Sequence, residues 1–104
     1  MIVIDALKVL KAIAGNDQVK DEIVRLGGVS LILATMTTHP KQPILNEIAC
    51  ACIAVLTLRK PDHGRAFMQN NAAEVVVKVL ALHPNHAGAQ VLRPTLHFLF
   101  PVKV

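Results

Sequence analysis

Apolar residues along this chain recur three and four positions apart, the spacing that gathers side chains on one side of a helix. In Asp5 to Ala14, residues Ala6, Leu7, Leu10, Ile13 and Ala14 form such a stripe, while Asp5, Lys8 and Lys11 fall opposite. Gly15-Asn16-Asp17 supplies a stop and a new N-cap, and Val19, Ile23, Val24 and Leu26 carry a short second helix ended by Gly27-Gly28. From Val29 to Met36 the residues are apolar on nearly every side, as expected of a helix buried between others. Thr37-Thr38-His39-Pro40 ends it, because proline cannot continue a helix and pushes its predecessor out of the α region. Pro43 suits a first turn, and Ile44 to Leu58 gives a long helix with Leu45, Ile48, Ala49, Cys52, Val55 and Leu56 as its stripe. Arg59-Lys60-Pro61-Asp62 breaks that helix, with Asp62 the N-cap of another through Phe67 and Met68. Asn70-Asn71 makes a left-handed stop, Ala72 to Leu82 a further apolar helix, and His83-Pro84 closes it. No segment alternates with period two, so the expected fold class is all-α.

The helices are not independent. His39-Pro40 and His83-Pro84 lie 44 residues apart, and at the same offset Ile23-Val24 aligns with Phe67-Met68, Gly27-Gly28 with Asn71-Ala72, and Val29 to Met36 with Ala73 to Leu80. With one residue inserted, Ala6-Leu7-Lys8-Val9-Leu10 and Asp17 align with Ala51-Cys52-Ile53-Ala54-Val55 and Asp62. A period of about 40–47 residues built from helices is the range of helical solenoids.

On these residues the chain resembles the armadillo-repeat family. Asp21-Glu22-Ile23-Val24-Arg25-Leu26-Gly27-Gly28-Val29 is similar to the junction between the first and second helices of an armadillo repeat, and Ala6-Leu7-Lys8-Val9-Leu10-Lys11-Ala12-Ile13-Ala14 to the end of a third helix. The resemblance spans roughly residues 5 to 90. It implies an armadillo-type right-handed α-solenoid fragment of about two three-helix repeats. Residues 1–15 would be the third helix of a preceding repeat, 16–58 a complete repeat, 59–93 an incomplete next repeat and 94–104 a divergent tail. In that tail Pro94 would interrupt a helix started by Gln90-Val91-Leu92-Arg93. Solenoid repeats bury their faces against neighbours, so two repeats without polar caps are expected to leave ends open to self-association.

Composition agrees with such open faces. Hydrophobic residues make up 53% of the 104 positions and mean hydropathy is +0.47, against roughly 45–50% apolar in ordinary soluble domains. The longest uncharged run, Leu26 to Pro40, is too short and too polar for a membrane span, and no basic region precedes the apolar N-terminus. The expected setting is therefore intracellular, cytoplasmic or nuclear, with Cys50 and Cys52 reduced and packed, since two residues apart on a helix they point to nearly opposite sides. Net charge is +4, but the basic residues are dispersed among acids.

Chemistry-bearing patterns are missing. Cys50 and Cys52 have the wrong spacing for a zinc pair and no histidines lie four apart on a predicted helix, so neither a metal nor any other cofactor is expected. There is no glycine-rich phosphate loop, and Ser30 is the sole serine. The chain is read as a non-enzyme that holds a protein or extended peptide. The alternative is a nucleic-acid-binding solenoid, which three Phe and no Trp or Tyr disfavour by removing stacking platforms.

In the armadillo family the third helices line a concave groove that grips peptides through a Trp and an Asn four residues apart. Alignment puts Ile53 and Thr57 at those places in one repeat and Lys8 and Ala12 in the preceding one, so that ladder is absent and Lys8 and Lys11 would repel basic peptides. Spacing alone nominates the same side: Asn46, Cys50, Ile53 and Thr57 follow one another at four, three and four residues and avoid the core set Leu45, Ile48, Cys52 and Leu56. The expected binding stripe is therefore Lys8, Ala12, Asn46, Cys50, Ile53 and Thr57, a neutral to mildly basic groove.

Overall fold

A computed structural model describes residues 2–88 of the chain. The expected break at Pro94 and the divergent tail lie outside the described residues. Within them run six helices: α1 (Ile2–Ile13), α2 (Asp17–Arg25), α3 (Gly28–Thr38), α4 (Pro43–Thr57), α5 (Pro61–Gln69) and α6 (Ala72–Leu82). No strand occurs among the described residues.

Several boundaries have identifiable causes. The Asn16 side chain accepts from the Gln18 and Val19 backbone N–H groups at 2.8 and 3.1 Å, which starts α2. α3 outlasts the apolar run by two residues, and its threonines bond back to carbonyls four residues earlier: Thr35 Oγ1 donates to the Leu31 carbonyl and Thr37 Oγ1 to that of Leu33. α1 starts at Ile2 rather than at Asp5, since Val3 and Ile4 pack against the core. Asp62 is not the N-cap of α5. Lys60 holds that place, Pro61 supplies the first-turn residue, and Asp62 sits inside the first turn, paired with Arg65.

The 44-residue repeat reappears in the backbone itself. His39 and His83, each ahead of a proline, have φ/ψ of −124°/54° and −128°/56°. Gly27 and Asn71, at the aligned helix junctions, are both left-handed, with φ of 92° and 63°. Gly28 is needed for a different reason than a positive φ: a Cβ there would lie 2.5 Å from Ile23 Cγ2 and 2.7 Å from the Ile23 carbonyl oxygen. α2 and α3 approach that closely.

α4 forms the centre, packed against α1, α3 and α5, while α6 packs on α3 and α5. Leu45, Ala49, Cys52, Ile53 and Leu56 of α4 are fully buried, together with Ile32 and Met36 of α3 and Phe67 of α5. Polar joints tie the start of one repeat to its end and to the next repeat. Lys20, only 1% exposed, donates from Nζ to the Leu58 carbonyl at 3.2 Å and pairs with Asp17 at 3.3 Å. Asp21 meets Lys60 Nζ at 3.0 Å and His63 Nε2 at 3.1 Å, and His63 Nδ1 donates to the Leu56 carbonyl at 2.8 Å. The two proline corners touch as well, His83 Nε2 donating to the Pro40 carbonyl at 2.7 Å.

Candidate binding face

Four of the six stripe residues are not surface. Asn46, Cys50, Ile53 and Thr57 are all buried, whereas Lys8 and Ala12 on α1 are exposed. The expected open groove along α4 is corrected for a geometric reason. A helix enclosed by neighbours on three sides buries two adjacent stripes, and the spacing that separates this one from Leu45 and Leu56 does not separate it from the core. Ile48, expected in the core, is half-buried.

Each buried residue is held by its own partner. Asn46 Nδ2 donates to the His39 and Gln42 carbonyls, both at 2.8 Å, bracing the corner between α3 and α4; its Oδ1 has no hydrogen-bond partner among the described residues. Thr57 Oγ1 donates to the Ile53 carbonyl at 2.8 Å. Burial pushes the Cys50 thiol up to about 12, with Cys52 adding to the shift. Burial likewise raises Cys52 to about 11, against the pull of Lys11, and its Sγ donates to the Leu7 carbonyl at 3.4 Å. Neither thiol is a nucleophile near neutral pH in this setting.

What the third helices leave open is the adjoining face. Ala6, Val9 and Ile13 are exposed on α1, and the residues aligned with them on α4 are Ala51 and Ala54, half-buried, and Leu58, exposed. Lys8, Lys11 and Ala12 flank this face on α1. At the corner between α4 and α5 there is also a cleft of about 350 Å³, lined by Thr57, Arg59, Lys60, Pro61, Gly64, Arg65 and Met68. Its cations are each matched by an acid: Arg59 with Asp17 at 3.5 Å, Lys60 with Asp21, and Arg65 with Asp62. Charge counted along the chain misses this corner. The signal was the helix stop itself, which folds Arg59 and Lys60 back beside Arg65, one turn into the next helix. Among the described residues no three His, Cys, Asp or Glu side chains converge as a metal site, and no helix is long and apolar enough to cross a membrane.

A short helix and two longer ones, repeated at 44 residues and stacked so that each third helix packs on the last, define an armadillo-type α-solenoid fragment. Over 64 residues it is 52% identical to armadillo repeat-containing protein 6 of Homo sapiens, a match covering 62% of this chain and 13% of that protein. The homolog of that protein in Drosophila melanogaster is 42% identical over 63 residues, 61% of this chain and 14% of its own length. Protein aardvark of Dictyostelium discoideum is 32% identical over 80 residues, 73% of this chain and 11% of its own. The chain thus spans about an eighth of the length of the relatives it matches. No protein-family model and no solved structure matches it.

Proposed function

We propose that this chain is an interaction scaffold, without chemistry of its own, that holds an extended peptide or protein surface along its third helices. One observation carries the reading: small and apolar side chains recur toward solvent at the same positions of successive repeats, Val9 and Ile13 exposed on α1, Ala54 half-buried on α4 and Leu58 exposed at its end. A shallow apolar strip repeated at the solenoid period suits a partner that lies along it with side chains spaced to match. Lys8, Lys11 and Ala12 border it on one side and Arg59 follows Leu58, so the favoured partner sets carboxylates beside its apolar residues. Asn46, Cys50, Ile53 and Thr57 belong to this reading as the support that fixes α4. The setting is intracellular, in keeping with two buried, unbridged thiols.

Selection of a random displayed peptide library on the purified chain tests it. Enriched peptides should lose at least tenfold in affinity for Val9→Glu and for Leu58→Glu. Peptides indifferent to both substitutions would remove the face from consideration. The rival reading, nucleic acid held by dispersed basic charge, gains little from the corner cleft, where Arg59, Lys60 and Arg65 are each paired with an acid. Titration with RNA at two salt concentrations separates the two, because phosphate contacts weaken steeply as salt rises.

A further inference from the structure

The cleft at the corner between α4 and α5 has a charged lining of one sign. Arg59, Lys60 and Arg65 line it beside Pro61 and Met68, and no acidic residue does. The acids that match the two arginines stand outside the lining and use little of them. Asp17 meets Arg59 through Nη2 alone, at 3.5 Å, and Asp62 meets Arg65 through Nη2. A guanidinium carries five N–H donors, and 67% of each arginine side chain remains exposed. The same pairs that make the corner poor for a run of phosphates leave donors enough for one carboxylate. The cleft, about 350 Å³, falls at the low end of ligand pockets, roughly 300–1,000 Å³. Within the described residues the segment after α6 does not fill it, since His86 and Gly88 lie against Glu47, about 15 Å back along α4 from Thr57.

The backbone marks the same place. Among the described residues the non-glycines in the left-handed region are Asn71 and Arg59, with φ of 63° and 58°. Asparagine tolerates that region, whereas arginine has no short polar side chain to offset the crowding of its Cβ. Arg59 therefore stands beside the cleft against the preference of its own backbone. Apolar surface adjoins it: Leu58 precedes it, exposed, and Met68 on the cleft wall is 40% exposed.

We propose that this cleft anchors a bound peptide through one carboxylate, an Asp or Glu side chain that accepts from Arg59 and Arg65 while the apolar residue beside it covers Met68. On the reading that a peptide lies along the third helices, this is the point at which its acid falls.

Two capped tripeptides, acetyl-Leu-Glu-Leu-amide and its Gln counterpart, titrated to about 10 mM into the whole chain and followed by backbone amide shifts, read the result. The Glu peptide should shift Arg59, Gly64 and Arg65 and bind about fivefold more tightly than the Gln peptide. Arg59→Gly should melt at or above the parent's temperature, because it relieves the backbone, and should bind both peptides alike. Arg65→Gln, at an exposed position, should keep the parent's melting temperature and lose most of the same preference. Equal binding of the two peptides by the parent would overturn the anchor, as would an undiminished Glu preference in both variants. If that equal binding shifts Val9, Ile13 and Leu58, the apolar strip stands and only its acidic anchor is lost. Glu-dependent shifts at the cleft in a chain whose peptides ignore Val9→Glu and Leu58→Glu would support the anchor and remove the strip. Inorganic phosphate that displaces the Glu peptide at lower concentration than acetate does would give the cleft to phosphate and overturn the carboxylate.

Discussion

α1 and α4 are the third helices of successive repeats, and where they align they have opposite chemistry. Leu7 and Cys52 are buried in both, but one residue on, Lys8 is exposed and Ile53 buried; Lys11 and Ala12 are exposed where Leu56 and Thr57 are buried, and Asp5 is exposed where Cys50 is buried. Both are α-helices. What differs is the company: α1 packs chiefly on α4, while α4 has α1, α3 and α5 around it. A position in a solenoid repeat thus has no fixed environment, and the residue it accepts depends on how many neighbours enclose it.

The reciprocal exchange gives the largest effect. Leu56→Lys puts the residue of α1 into α4, where an unpaired ammonium has no water to reach; the loss should be roughly 5 kcal/mol, comparable to the whole stability of a small domain, and the chain should unfold in a thermal melt. Lys11→Leu makes the opposite change on α1 and should stay within about 0.5 kcal/mol. Equal destabilisation by both would mean that α1 is as enclosed as α4. Gly28→Ala comes next. Its counterpart in the second repeat is already Ala72, yet at position 28 the added Cβ meets the Ile23 carbonyl and side chain, and the strain should cost about 2 kcal/mol, read as a lower denaturation midpoint at unchanged slope.

The same contrast explains how far the amino-acid sequence leads. Proline, glycine and asparagine act on their own backbone or that of the residue before them, so the corners at His39-Pro40 and His83-Pro84 and the left-handed stop at Asn71 were readable, and with them the repeat. The span Ala72 to Leu82 matches α6 residue for residue. The binding stripe was not readable. Spacing told which α4 residues share a side, but whether that side meets water depends on α1 and α5, contributed by sequence on both flanks. Gly28 resembled a turn residue because nothing local signals the close passage of α2. Lys20 carries the same lesson: its partner, the Leu58 carbonyl, is 38 residues away and belongs to the backbone, so no pattern of side chains announces it.

That lysine supplies the third test, and it concerns joints rather than helices. Lys20→Met keeps the aliphatic bulk but removes the donor to the Leu58 carbonyl and the partner of Asp17, leaving a carbonyl short of a hydrogen bond at the seam where α4 ends against α2. About 1–2 kcal/mol should be lost. Lys11→Met on α1, which keeps similar bulk at an exposed site, should change almost nothing. Equal effects would show that Lys20 contributes by its methylenes alone.

The smallest effect comes from the acids beside that lysine on α2. The hydrogen bond from Lys20 holds the Asp17 carboxyl below its ordinary value of 3.8, assisted by Arg59, and the hydrogen bond from Lys60 does the same for Asp21, assisted by His63. Because the folded chain lowers both, their contribution is complete above the ordinary value and disappears as pH falls through the depressed ones. Both carboxyls are open to solvent, which keeps the contribution small and sensitive to salt. Urea midpoints taken at about pH 5 and about pH 3 should therefore fall further for the parent than for Asp17→Asn/Asp21→Asn, and the gap should narrow in high salt. Asp5 on α1 is exposed and has no joint to serve, so Asp5→Asn should leave the parent's fall intact. If it flattens the profile as much as the double variant does, acid sensitivity follows net charge, and the seam between repeats has no particular part in it.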